Sequence, residues 1–212
     1  LSGYKIHWEI LNAADYGVPQ KRKRLVLIGS RVLDPKEIFN QIRKEATFAD
    51  PSVAVEEKKK PWKTLRDGLS GLVDEEKECV KFPPWGKYLK YIPAGGYWKD
   101  LPKNVIKEAM GQAADTDDPE RKGKQGGRTG FFRRLSWDKP SPTLVTTPTQ
   151  MGTCICHPDE DRPLTVREYA RLQGFPDSWE FVGSTPKKYR MIGEAVPVQL
   201  AEVIAAAVKR FI

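Results

Sequence analysis

RPLTVREYARLQGFPD, residues 162–177, is the stretch of this chain whose reading decides the rest. It carries its own start and stop signals. Thr165 and Glu168 stand at the spacing of a capping box, in which the hydroxyl takes one unpaired N–H of the first turn and the carboxylate reaches back to the cap residue. Gly174 followed by Pro176 ends the helix that begins there. The cap accounts for Glu168, and Arg162 and Arg171 are expected to hold neighbouring loops, so none of the three is assigned to chemistry.

Toward the C-terminus, Thr185-Pro186 opens a second short helix that Gly193 closes. Pro197 opens a third, in which Leu200, Ile204, Ala207, Val208 and Phe211 form one apolar stripe. Toward the N-terminus, Tyr4, Ile6, Trp8 and Ile10 alternate with polar residues, which predicts a strand. Leu25-Val26-Leu27-Ile28-Gly29 predicts a second, and the pair reads as a hairpin with a long basic connection. A lone hairpin is unstable in water, so it is expected to belong to a larger sheet. Between these ends, short helical patterns follow Pro35 and surround Leu65–Leu69. Pro83-Pro84-Trp85 and Ile92-Pro93-Ala94-Gly95-Gly96-Tyr97-Trp98 are turn-rich with aromatic anchors. Gly111 to Gly130, rich in Asp, Lys, Arg and Gly, is the expected mobile loop.

The chain has 212 residues, 39% hydrophobic and 30% charged, with a formal charge of +8 and a pI near 9.3. That suits a globular protein with a polyanionic partner, although charge alone does not name the partner. No apolar run is long enough to span a bilayer and the first residues are not a signal peptide, so no membrane partner is expected. Cys79, Cys154 and Cys156 are odd in number, and Cys-x-Cys is a poor disulfide spacing, which points to a reduced, cytoplasmic protein. Cys154-Ile155-Cys156-His157 invites a metal, but no second ligand pair exists, so the two thiols are read as alternating residues on a strand and no metal is assigned.

Gln20, Arg22 and Arg24 alternate in the basic connection and share one side of an extended chain. Two guanidiniums and an amide on one side suit a phosphate and a base edge, or else form an exposed basic strand edge.

Three blocks together carry a family resemblance. Tyr16-Gly17-Val18-Pro19-Gln20-Lys21-Arg22-Lys23-Arg24 resembles the Gln-x-Arg-x-Arg block of DNA (cytosine-5) methyltransferases. Residues 162–177 resemble that family's signature near its C-terminus, and Gly193-Glu194-Ala195-Val196-Pro197 its final block, with Glu194 where Asn is usual. The blocks stand in the family's order along nearly the whole chain. The family's Gly-rich cofactor loop, Pro-Cys nucleophile and Glu-Asn-Val block are not in it.

The resemblance implies an α+β chain of three parts. Residues 1–33 would be the end of a Rossmann-like catalytic domain mostly outside this chain, 34–184 a target-recognition domain of mixed short strands and helices, and 185–212 closing helices that return to the catalytic domain. It implies transfer of a methyl group from S-adenosylmethionine to C5 of a flipped cytosine in a specific duplex sequence. Arg24 would meet the base as a supporting catalytic group, with Arg22 and Gln20 holding the DNA backbone or the site. Glu194 and Val196 would border the cofactor, bound mainly by the missing part. For DNA contacts the candidates are Arg22, Gln125, Arg128, Thr129, Arg133, Arg134, Thr147 and Gln150.

The expected partners are double-stranded DNA and the upstream catalytic half, as one chain or as a second subunit, without which this chain is inactive. Ile6, Trp8, Val26, Ile28, Leu200 and Ile204 would dock against that half, and a bacterial, nucleoid-associated location goes with it. The alternative is a non-catalytic, sequence-specific DNA-binding relic or subunit.

Overall fold

A computed structural model describes residues 3–111 and 130–211. In chain order its elements are β1 (Lys5–Asn12), β2 (Lys23–Ser30), α1 (Pro35–Lys44), β3 (Phe48–Ala49), β4 (Lys60–Pro61), α2 (Leu65–Leu69), α3 (Lys103–Met110), α4 (Val166–Leu172), α5 (Thr185–Glu194) and α6 (Val198–Lys209). Short 3-10 turns fill several of the connections. Gln125, Arg128, Thr129 and most of the expected mobile loop lie outside the described residues.

Alternation makes the hairpin. β1 and β2 pair antiparallel with Trp8 opposite Leu27 and Leu11 opposite Arg24. One face carries His7, Glu9, Leu11, Val26 and Ile28 and packs on α1 and α6. Asp34 caps α1 through the Lys36 N–H, Pro35 presets its first turn, and Ile38, Phe39 and Ile42 are buried against the hairpin. Each such side chain contributes about 1.5–3 kcal/mol by leaving water. The other face stays open, with Ile6 42%, Trp8 57%, Ile10 62%, Leu25 62% and Leu27 56% exposed. The expectation that Val26, Ile28, Leu200 and Ile204 await an outside partner is therefore corrected, because all four pack into one core formed within this chain by the hairpin, α1 and α6.

A second core gathers α2, α4 and α5 around Tyr169 and Tyr189, whose rings meet edge to face with centroids 5.0 Å apart. A third lies under the 3-10 helix Pro84–Tyr91 and α3, with Trp98, Leu101, Phe132, Cys154 and Cys156. These cores cut across the boundaries expected at 34 and 185. α1 packs with the hairpin, and α5 packs on α4 rather than with α6. Among the described residues the sheets are two two-stranded pairs, β1–β2 and the short parallel β3–β4.

Within Thr185–Lys209 an 18-residue window has a mean hydropathy of 1.6, as apolar as a membrane span. The segment is nevertheless two helices, broken where Ala195 turns extended and Pro197 caps α6. Cys156 makes isolated β-bridges to Arg134 and Pro163 but Cys154 lies in irregular chain, so the pair is not on a continuous strand, and Cys154, Ile155, Cys156 and His157 are all buried. Nδ1 of His157 accepts the backbone N–H groups of Asp159 and Glu160, at 3.1 and 3.2 Å.

Thr165 and Glu168 form the capping box, and Arg162 forks onto Glu168 and Glu160 at 2.8–3.0 Å. Arg171 pairs with Asp177 and donates to the Ser70 carbonyl, tying α4 to the end of α2. α4 ends in a Schellman turn, with Phe175 N–H on Ala170 O and Gly174 N–H on Arg171 O. Gly174 has φ +89°, and a Cβ there would stand 2.1 Å from the Gln199 side-chain oxygen. Gly174→Ala should therefore cost about 1–2 kcal/mol from the left-handed backbone alone. Urea unfolding checks this, and an unmoved midpoint would refute it.

Candidate functional site

The three sequence blocks meet at one buried polar node. After β1, a 3-10 turn over Ala13–Tyr16 and a left-handed Gly17 bring the chain to Gln20 beside Ser141. The Gln20 carbonyl oxygen accepts from Leu144 N–H at 3.0 Å, and its amide donates to Gln173 Oε1 at 2.6 Å. Gln173 donates in turn to the carbonyls of Ile192 and Ala195, at 2.9 and 2.8 Å. Arg22 donates to Leu144 O at 2.9 Å, Gly193 O at 2.6 Å and Ala195 O at 3.1 Å.

Chemistry explains the choice of partners. The last carbonyls of a helix have no partner inside it and carry its negative end. Gln173 and Arg22, from two different blocks, supply the donors for the end of α5. Arg22 is 1% exposed and faces carbonyl dipoles instead of a carboxylate. Burial, together with the charge of Arg24, pulls its pKa down to about 10, which leaves it protonated at neutral pH. Gly193 belongs to the same joint: a Cβ on it would lie 2.8 Å from the Val145 backbone. No side chain fits there.

Gln20, Arg22 and Arg24 do share one side, but that side faces inward at the first two. The expected backbone-phosphate role of Arg22 is corrected, since its terminal nitrogens are bonded to protein carbonyls. Gln20, fully buried, is likewise a strut. Arg24 is half-buried, and its one hydrogen bond among the described residues is to Lys23 O at 2.7 Å. Arg22 Nε is also without a partner among the described residues but is buried, so of the three only Arg24 has uncommitted N–H groups that an outside ligand can reach.

Arg134 is also corrected as a DNA contact. It is 5% exposed, donates to the carbonyls of Ile92, Leu89, His157 and Glu160 at 2.7–3.0 Å, and pairs with Asp161. Arg133 is half-buried, held through Nε to Cys154 O at 3.2 Å, with burial lowering its pKa. Thr147 and Gln150 are exposed. Thr146, Thr147 and Thr149 line an open cleft of about 860 Å³ with Lys187, Arg190 and Glu194.

Glu194 is ion-paired to Arg190 at 2.8 Å, and Val196 is 50% exposed outside the lining of that cleft. These two candidate cofactor residues border a surface and do not close around a ligand. A carboxylate at Glu194 can accept from an ammonium group, so the pair fits the edge of a cofactor site and not its whole.

Burial raises the pKa of all three thiols, that of Cys156 to about 12. A thiol raised in this way is protonated at neutral pH and a poor nucleophile. The sequence reading missed Gln173, whose place beside the helix stop gave no sign of a cross-chain partner, and Gly193 as a point of close approach. The Thr64–Asp67 capping box of α2 was legible in the Thr-x-x-Asp spacing and was also missed.

The profile of the C-5 cytosine-specific DNA methylase family matches residues 2–210. The chain belongs to this family. It is 40% identical over 210 residues to the type II methyltransferase M.Sau96I of Staphylococcus aureus, covering 99% of this chain and 44% of that protein. With M.PspPI of Psychrobacter sp. (strain TA137) it shares 42% over 217 residues, covering 99% and 47%. The chain thus spans about half the length of these curated relatives. The crystal structure of the S. pombe Dnmt2 methyltransferase aligns with 99% of this chain and 59% of that one, at 17% identity and a TM-score of 0.50, a likeness of fold.

Two outcomes follow for the chain itself. Arg22→Met strands the carbonyls of Leu144 and Gly193, while Ala195 O keeps its bond from Gln173, and should cost about 2 kcal/mol or more of unfolding free energy, whereas Arg24→Met should stay within about 0.5 kcal/mol. Equal losses in urea titrations would overturn the division between strut and free guanidinium. A thiol reagent should label Cys79 alone in the native protein and all three cysteines after denaturation; rapid native labelling of Cys154 or Cys156 would contradict their burial.

Proposed function

We propose that this chain is the recognising and closing part of a DNA (cytosine-5) methyltransferase, and that it works with an upstream part carrying the nucleophile and most of the cofactor site. The observation that carries the reading is the node itself. Gln20, Arg22 and Gln173 pin the turn Gly193–Ala195 and the Leu144–Thr147 segment together, and leave Arg24 as the free guanidinium beside them. The open hairpin face, with Trp8 and Ile10 more than half exposed, supports docking onto that upstream part. So does the chain's coverage of about half of its relatives.

In this reading cytosine C5 is inside the duplex stack and reachable only when the base is extruded. S-adenosylmethionine, when bound, supplies the methyl group. Arg24 donates to the O2 and N3 edge of the extruded base, where negative charge gathers as the ring is attacked. Arg22 and Gln20 are positioning residues that fix the Gly193–Ala195 turn next to Glu194 and Val196. Thr147, Gln150 and Arg133 contact the duplex from the recognition side, with the region between α1 and α5 carrying sequence choice. A cytoplasmic, nucleoid-associated place in a bacterial cell goes with the same reading.

Radiolabelled methyl transfer to unmethylated DNA tests it. The chain alone should incorporate nothing, and the upstream polypeptide should restore incorporation. Specific DNA binding by the chain without any rescue would favour the non-catalytic relic instead. In the complete enzyme Arg24→Ala should lower kcat by roughly 10²-fold, the scale of losing one donor to a charged transition state, while DNA affinity changes little. A loss confined to binding would remove Arg24 from the reacting base.

A further inference from the structure

Residues 81–110 hold six lysines (81, 87, 90, 99, 103 and 107), no arginine, and two carboxylates. This one lobe therefore carries a surplus of four of the chain's eight net positive charges. The segment 112–129 that follows has four acidic and four basic residues, so its composition does not offset the surplus. All six lysines are exposed. Both carboxylates are already engaged. Asp100 accepts from Tyr97 N–H at 2.8 Å, and Glu108 accepts from Tyr88 OH at 2.6 Å and Lys87 at 3.0 Å.

The lobe is one packed unit. Glu108 ties the 3-10 helix Pro84–Tyr91 to α3, and Tyr88, Leu89, Trp98, Leu101, Ala109 and Met110 share its core. Lys103 and Lys107 stand four apart on α3, one turn above the other. Phe131, Phe132 and Met151 pack against the same core, which sets the lobe directly beside the exposed Gln150.

We propose that this lobe is a second duplex-binding surface that holds the sugar–phosphate backbone outside the recognised sequence. The inference rests on the DNA reading of the preceding section. Lysine is a compact, mobile point charge, suited to phosphate and poorly suited to paired recognition of a base edge. A lobe of six lysines without one arginine is therefore built to hold and not to read.

The test uses the complete enzyme, with its upstream part, and the quadruple variant K81Q/K90Q/K103Q/K107Q. These four lysines are exposed and have no carboxylate partner among the described residues, so the fold is not at stake. Binding is measured by fluorescence anisotropy across a salt series, on a duplex trimmed to the mapped methylation site and on one extended by about 10 base pairs on each side. The unsubstituted enzyme should bind the longer duplex more tightly. The variant should lose that advantage, with affinity for the long duplex falling about 10-fold and the log–log salt slope becoming shallower by about 2–4, at roughly 0.9 per phosphate contact. Affinity for the trimmed duplex and turnover at saturating DNA should hold, and the matching Lys→Arg variant should restore the slope.

A variant with an unchanged slope, or with equal losses on both duplexes, overturns the proposal while leaving the methyltransferase reading intact. If the unsubstituted complete enzyme binds neither duplex, both fall together.

Discussion

Everything positioned in this protein depends on carbonyl oxygens at the end of one helix that must find donors away from water. α5 finishes with Ile192 and Gly193 buried and Ala195 half-buried, where solvent has little access to their carbonyls. Gln173 and Arg22 reach them from segments some 20 and 170 residues distant. An unmade bond of this kind costs about 1–3 kcal/mol for each group. The constraint therefore locks the hairpin connection, the end of α4 and the α5–α6 turn into one arrangement. Gln20 extends the lock to Leu144, and so to the threonine-rich segment that borders the open cleft.

The same lock divides the labour among the basic residues. Arg22 and Arg134 look on paper like Arg24 and Arg133, yet both are sunk among backbone carbonyls. A guanidinium offers five donors in a fixed fork, which suits it to gathering several carbonyls as well as to gripping a phosphate. Composition and spacing do not separate these uses. Burial does.

That is why part of this molecule was legible in its sequence and part was not. The capping box at Thr165, the stop at Gly174 and the pairing of the first two strands as a hairpin follow from local chemistry, and the structure has them. Alternation also placed Gln20, Arg22 and Arg24 on one side. It left open which side faces inward, because the hairpin is apolar on both faces: Ile6, Trp8 and Ile10 on one, Leu11, Val26 and Ile28 on the other. Only the positions of α1 and α6 decide it. The Pro84–Tyr91 lobe has no clean period, and its core depends on Phe132, Cys154 and Cys156, far along the chain. The pairing of Arg134 with residues near 90 and 160 is long-range for the same reason.

Arg22 grips main-chain atoms, and so does the close approach of Gly193 to Val145. Neither contact depends on the identity of the side chains at positions 144 to 146. A joint of this kind tolerates wide sequence change in the loops it anchors, provided their backbone path is kept. Loops of different sequence can be exchanged across it while the Gln20, Arg22, Gln173 and Gly193 fittings are left untouched. The node is, in engineering terms, a socket.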